Sequence, residues 1–399
     1  MKILYVCKSL PHRFAGGIQT HVWELSGQMA GRGHEVSILT AGAWKQPETS
    51  YQLDFRNIIE IPYFPGRHLP ILKTLAEEWA FNLSAYNWLK QHAFEYDLVH
   101  LQGRSGAWFA GNSERVPVIS TIHGFVKTEN ITGNKEKLNW AQYLHEVWAD
   151  KLELNGLTGS QKLIAVSRAM EAAIQARLGF NGRVVYHIPN GVSLPEHLQR
   201  ERVTLSAPFW LFVGRLDRIK GVYVLLEAYR RSQSRMPLVL IGDGPERAGL
   251  LQKIKDWGLS ERIIMPGSLP AVQVRAWMEQ CYGLLLPSFF ESQGLVLLEA
   301  MSVGAPVIAS RTGGIPEFVE HYKNGLLIPS GDPTALSEAM EHLAQNPSLA
   351  DQLGQAGSIT AKDYAWEKIA ADTERLYLEL RGENQAVKAA ENKAHYVTA

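Results

Sequence analysis

Cysteine is nearly missing: the 399 residues contain two, Cys7 and Cys281, far apart. That excludes a disulfide framework and a cysteine-rich zinc site, and it fits a reducing compartment. Net charge is missing as well. Lys and Arg number 40, and so do Asp and Glu. A neutral chain has no global basic field, so no nucleic-acid partner is expected. Long apolar runs are absent. The apolar stretches contain Glu299 or are broken by Pro and Gly, and none reaches the roughly 18 residues of a spanning helix. The start, Met1 to Cys7, lacks the length and cleavage site of a signal peptide and reads as a buried strand. A soluble cytoplasmic protein is expected, peripheral at the inner membrane face at most. Metal motifs are missing too: there is no His-Glu-x-x-His and no Asp-x-Asp. No metal and no cofactor is expected.

What is present is an ordinary globular composition, 46% apolar and 20% charged. At roughly 100–200 residues per domain, the length suggests two domains. Short apolar runs alternate with helical stretches. Strands are expected at 2–7, 35–40, 58–62, 97–101, 116–122, 162–166 and 184–188, then at 209–213, 237–241, 263–265, 283–286, 306–309 and 326–328. Many are apolar without alternation, such as Pro237 to Ile241. Strands apolar on both faces belong to parallel sheets covered by helices, so the fold class is doubly wound α/β. The pattern runs twice, with a polar break near 195–208. Two Rossmann-like domains facing across a cleft are expected, 1–200 and 209–365. A helix over 366–381 returns to the first domain, and 382–399 forms a frayed tail.

Three places can carry chemistry. Arg215 and Lys220 follow the strand ending at Gly214. Two cations at the carboxyl end of a parallel strand suit a diphosphate, although a solvated turn would look the same. Gly242-Asp243-Gly244 follows the next strand. The position where a dinucleotide fingerprint needs its third glycine is Arg247, so the motif is weak. Gly242 can still let backbone approach a ligand. In Pro287 to Met301, Glu291 precedes a helix introduced by Gly294, and Glu299 lies in its second turn. The first amides of that helix, at Gly294, Leu295 and Val296, would point at an anion. A carboxylate among Leu295 to Met301 is costly unless it accepts hydrogen bonds, which sugar hydroxyls supply and a neighbouring Arg or Lys could also supply.

Glu291 and Glu299, with seven residues between them, resemble the Glu-x7-Glu pattern of retaining nucleotide-sugar glycosyltransferases of family four, which have the GT-B architecture. Gly16 to His21, Thr121-Ile122-His123-Gly124, Val166-Ser167, Ile188 to Val192, Gly304 to Ala309 and Gly313 to Glu317 resemble the same family in order and spacing, over about 1–381. The resemblance implies that Arg215 and Lys220 hold the diphosphate of the donor. It implies that Glu299 takes the ribose hydroxyls and Glu291 those of the transferred sugar. Gly294, Leu295 and Val296 would cap the phosphate or sugar with amides, and Gly17 would let a first-domain loop close on the diphosphate. His123 would lie near the reacting sugar. Gly267-Ser268-Leu269 would meet the base through backbone groups, with Gly242 nearby. Where the family often has an aromatic, this chain has Gln293, which leaves local packing and sugar preference open. His123 also has a plain reading, as a strand-end histidine bonded to the backbone, and His21 reads as structural or acceptor-side.

The expected activity is transfer of a hexose from a nucleoside-diphosphate sugar to an acceptor hydroxyl, metal-independent, in bacterial polysaccharide or glycolipid synthesis. The alternatives are a GT-B epimerase or hydrolase and a catalytically silent nucleotide-sugar-binding protein. The partners expected are the donor and a sugar, glycolipid or polysaccharide acceptor. Seven of the 11 tryptophans fall within the first 148 residues, read as core packing or as a membrane-facing surface. In 70–92, Leu72, Leu75, Ala76, Trp79, Leu83, Tyr86 and Leu89 recur at helical spacing, so most should face the core. That leaves weak membrane contact at most.

Overall fold

In the computed structural model, which describes residues 1–13, 16–66, 73–111, 116–125, 140–180, 182–194, 203, 205 and 208–397, the first strand already shows why the apolar runs become strands. In β1 (Lys2–Val6) Ile3 and Tyr5 enter the core on one face, Leu4 and Val6 the core on the other. That is the two-residue period of a strand covered on both sides. It is joined by β2 (Glu35–Ala41), β3 (Thr49–Leu53), β4 (Arg56–Ile61), β5 (Leu98–Gln102), β6 (Val118–Ile122), β7 (Lys162–Ala165) and β8 (Val185–His187). The sheet order is β3-β4-β2-β1-β5-β6-β7-β8. Its pairings are parallel except β3 with β4. β3 was not expected. All five of its residues, Thr-Ser-Tyr-Gln-Leu, are exposed, so an edge strand carried no apolar run to betray it.

Along the first part of the chain the helices of this unit are α1 (Gly17–Gly31), α2 (Lys73–His92), α3 (Ala107–Ala110), α4 (Trp140–Gly159) and α5 (Arg168–Arg177). Ser167 caps α5 by accepting from the Met170 amide, which gives Val166-Ser167 a structural role. The expected inner face of α2 is corrected. Phe81, Asn82, Ala85 and Leu89 are buried, whereas Trp79 is 45% exposed. Asn82 enters the core because its side chain accepts from the Gly106 amide at 3.0 Å and donates to the Glu78 carbonyl at 3.0 Å. Leu75, Ala76 and Trp79 instead line an apolar hollow of about 430 Å³ with Leu144, Val147 and Trp148 of α4. Leu72 lies outside the described residues.

The second unit holds Asn190–Ala365. Its strands are β9 (Trp210–Val213), β10 (Leu238–Ile241), β11 (Ile263–Gly267), β12 (Gly283–Leu286), β13 (Val307–Ser310) and β14 (Leu326–Ile328). They form a parallel sheet in the order β11-β10-β9-β12-β13-β14. Its helices are α6 (Val222–Arg231), α7 (Arg247–Asp256), α8 (Ala271–Gln280), α9 (Leu295–Ser302), α10 (Pro333–Gln345) and α11 (Pro347–Lys362). Trp210, Phe212, Leu225, Leu226, Leu297 and Leu298 fill its core without exposure.

The chain enters the second unit at Asn190 and returns to the first at Trp366. The polar break at 195–208 lies almost wholly outside the described residues. From Trp366 a final helix, α12 (Trp366–Val397), belongs to the first unit. Trp366, Ile369, Leu376, Tyr377 and Leu380 complete the core under β1 and α1. The tail expected to fray from Gly382 continues as helix to Val397. Its Ala, Glu, Lys and Gln are good helix formers. Among the described residues, no helix is long and apolar enough to cross a membrane.

Candidate active site

In an open parallel sheet, ligands sit beyond the carboxyl ends of the strands where the strand order reverses. In the second unit that point lies between β9 and β12, which are neighbours. After β9 comes Gly214, then Arg215, and a 3-10 turn over Arg218–Lys220 capped by Asp217, whose side chain accepts from the Lys220 amide. After β12 comes the loop to Gly294, which starts α9 with φ of 94°. The loops touch. A side chain on Gly221 would run into the Pro287 carbonyl, and the Phe289 amide donates to the Ile219 carbonyl at 2.7 Å. Only glycine fits at such an approach.

This contact places Lys220 on Glu291. The Lys220 Nζ lies 2.8 and 2.9 Å from the two carboxylate oxygens. Ser288, fully buried, donates to Glu291 Oε1 at 2.7 Å. Glu291 itself is 7% exposed. Its backbone is clamped from the other side: the Gly314 amide donates to its carbonyl at 3.0 Å, and Gly313 (φ 52°) has no room for a Cβ beside that oxygen. The loop therefore aims one buried carboxylate, paired and hydrogen-bonded, at the switch point.

Arg215 stands 60% exposed, with Nε 3.0 Å from Asp217. Gly294 offers α9 no side-chain cap, so the Leu295 and Val296 amides are open to an anion. The half-buried Glu299 carboxylate has no hydrogen bond or ion pair with the described residues, and desolvation raises its pKa from the ordinary value. A carboxylate held this way is free to accept hydrogen bonds from a ligand. Gly242, at the end of β10, comes so close to the Gly214 carbonyl that a Cβ would clash. Ser268 and Leu269 follow β11 and are exposed and half-buried. Arg215, Lys220, Gly242, Ser268, Leu269, Glu291, Gly294, Leu295, Val296 and Glu299 thus share one sheet edge.

Gln293 does something the sequence reading missed. Its Oε1 accepts from the Asn190 amide and from Asn190 Nδ2, each at 2.7 Å. Its Nε2 donates to the Asn190 carbonyl at 3.1 Å. Both residues are buried. The glutamine is spent on tying the loop to the segment that enters this unit.

In the first unit, Gly17 is exposed at the start of α1, after β1. His123 follows β6, and His21 of α1 meets its ring edge-on at 4.8 Å between centroids. His21 is 3% exposed and also lies against Trp366. The His123 Nε2 is bonded to Gln102 Oε1 at 2.9 Å, a side chain rather than the backbone carbonyl of its plain reading. Behind it, His100 is held by Tyr377 at 2.6 Å and Thr121 at 2.7 Å. Burial first, then the neighbouring histidines, push His123 and His100 well below the usual imidazole range. Both are neutral at physiological pH. Among the described residues, no group of three or more His, Cys, Asp or Glu is placed to hold a metal.

Two family models match in tandem. Glycosyltransferase Family 4 covers residues 15–195, and Glycosyl transferases group 1 covers 195–359. A D-inositol 3-phosphate glycosyltransferase of Pseudarthrobacter chlorophenolicus is 27% identical over 395 residues, 91% of this chain and 90% of that one. Among solved structures, the sucrose-phosphate synthase of Thermosynechococcus elongatus superposes with a TM-score of 0.79 at 22% identity, covering 96% of this chain and 99% of that one. Anabaena HepE, solved in complex with UDP-glucose, gives 0.72 at 21% identity over 94% and 99%. These neighbours have the GT-B fold, and the present chain shares it.

Proposed function

We infer, for a chain that belongs to glycosyltransferase family four and is a glycosyltransferase, that it moves a hexosyl group from a nucleoside-diphosphate sugar to an acceptor hydroxyl with retention of anomeric configuration. The observation that carries this is the Lys220–Glu291 pair at the switch point, beside the half-buried Glu299, whose carboxylate has no partner among the described residues. Lys220 has three donors and spends two on Glu291, leaving one for a phosphate oxygen. Arg215 and the Leu295 and Val296 amides complete a cradle for the diphosphate. Glu299 takes the ribose hydroxyls, and Glu291 the hydroxyls of the transferred sugar. Gly242, Ser268 and Leu269 serve the nucleoside. From the first unit, Gly17 serves the diphosphate and His123 the sugar.

The acceptor attacks on the face the diphosphate leaves, and the departing phosphate takes the acceptor proton. Fixed charges and amides stabilise the leaving group as its charge develops, without solvent reorganisation. Those charges come from the protein, so the proposal is metal-independent, and turnover should survive a chelator. The UDP-glucose complex of HepE supports a uridine donor. For the acceptor, the reading is a bacterial polysaccharide or glycolipid, with weak peripheral membrane contact at most. A second reading, D-inositol 3-phosphate, rests on the relative that bears that name.

A thermal-shift screen against UDP, GDP and their hexose conjugates tests the donor, since a ligand of the native state alone raises the melting temperature. Proton NMR of the early product tests stereochemistry. An α-linked donor should give an α-glycoside; an inverted product overturns the reading. Sugar released without an acceptor product would instead mark a hydrolase.

A further inference from the structure

The parallel register sets Gln102, the last residue of β5, beside Thr121 of β6. His123 comes two residues after Thr121, just past the end of β6, and its side chain meets that of Gln102 at the carboxyl edge of the sheet. Gln102 is 1% exposed. It turns its carbonyl oxygen, not its amide nitrogen, to the His123 ring. A carbonyl accepts and cannot donate, so Nε2 of His123 must carry the proton. The other ring nitrogen, Nδ1, has no hydrogen-bond partner among the described residues and keeps its lone pair.

The Gln102 Nε2 is buried with no hydrogen-bond partner among the described residues. Leaving such a donor unmet costs about 1–3 kcal/mol. Packing alone would be served as well by an apolar side chain of the same length. A glutamine held there at a penalty points to what its oxygen does for the histidine.

We propose that Gln102 is a positioning residue, which fixes His123 as the Nε2–H tautomer so that Nδ1 accepts a hydrogen bond from a hydroxyl of the sugar substrate. The proposal rests on the reading of His123 as a sugar contact. The groups facing the ring are consistent with a neutral imidazole. His21 approaches from α1 and His100 lies behind on β5. His100 is itself pinned by Tyr377 of α12 and Thr121 of β6. A second tautomer would turn Nδ1 from acceptor to donor and remove the acceptor the sugar hydroxyl meets.

The test uses the full chain with histidine labelled in the ring nitrogens, His123 being assigned by its absence in His123→Ala. Nitrogen–proton correlation spectra distinguish the two tautomers. The wild type should show His123 as Nε2–H. In Gln102→Met, of similar length but without the acceptor, the Nδ1–H form should appear. Nucleoside diphosphate release from UDP-glucose, with water as acceptor, should fall at least tenfold while the melting temperature stays close to wild type. Gln102→Glu keeps the acceptor, so it should retain the Nε2–H form and turn over faster than Gln102→Met. An Nδ1–H resonance in the wild type, or wild-type turnover in Gln102→Met, overturns the proposal. If Gln102→Met does not fold, the wild-type tautomer and Gln102→Glu still decide it. His123→Ala separates the premise: full turnover there removes His123 as a sugar contact, whatever tautomer Gln102 imposes.

Discussion

The Glu299 carboxylate is partly desolvated without a partner among the described residues, at a cost to the folded chain. Burial raises its carboxyl pKa, so in the window between the unfolded and folded values the native state binds the extra proton. Its contribution to stability is complete below the unfolded value and is lost as pH rises through the folded one. Glu299→Gln should therefore raise the melting temperature at neutral pH while weakening UDP at least tenfold. Calorimetric titration of UDP from neutral to acid should also show wild-type affinity falling as Glu299 protonates, and the Gln variant should lose that dependence. Arg215 is the cleaner probe of charge. It is 60% exposed, so Arg215→Ala should change stability by no more than about 0.5 kcal/mol. Steady-state turnover should fall at least tenfold, about 1.4 kcal/mol of transition-state stabilisation. Lys220→Ala is a coarser probe, because it also strands the buried Glu291 carboxylate.

The loop between β12 and α9 works as a single part. Ser288, Gly313 and Gln293 hold it from three directions. Gln293→Leu removes three hydrogen bonds and strands the Asn190 amide, which should cost about 1–3 kcal/mol. In the same variant, UDP-sugar affinity should drop with Arg215 and Lys220 untouched. A denaturant titration and a binding isotherm, taken together, check this; lost stability with unchanged affinity would reduce the clamp to packing. Here the limit of the sequence becomes visible. Strands such as Leu238–Ile241 were legible because burial on both faces writes a continuous apolar run. Thr49–Leu53 was not, since an exposed edge writes none. Glu291 and Lys220 were each legible at a strand end, but their contact spans 71 residues. Ile188 to Val192 and Glu291 to Glu299 read as separate motifs, although Asn190 and Gln293 join them across 103 residues. Pairings of that range are set by strand order, which local pattern does not encode. Gln102 left no signal at all: one glutamine at the end of a strand looks like any other.

At the scale of the molecule, the first unit is made from both ends of the chain, with the second inserted between them. The Tyr5 hydroxyl meets that of Tyr377 at 3.0 Å, 372 residues later. Arg32 and His34 reach Glu374 at 3.0 and 2.7 Å. A chain ending at Ala365 should keep the donor residues of the second unit and its UDP-induced thermal shift, but lose protease resistance in β1 and α1. Limited proteolysis with mass mapping would show it; a protected β1 would mean that α12 is dispensable.

The same insertion sets a schedule during synthesis. The β1 face that receives α12 leaves the ribosome early, while its cover is encoded beyond the whole second unit. At roughly 5–20 residues per second, that face waits about 18–75 s for Trp366 and Tyr377 to follow. During that interval the first sheet lacks its α12 cover, whereas the inserted unit is complete once Ala365 has emerged and waits for no later segment. Translation speed and chaperone supply therefore bear on the yield of the first unit far more than on that of the second.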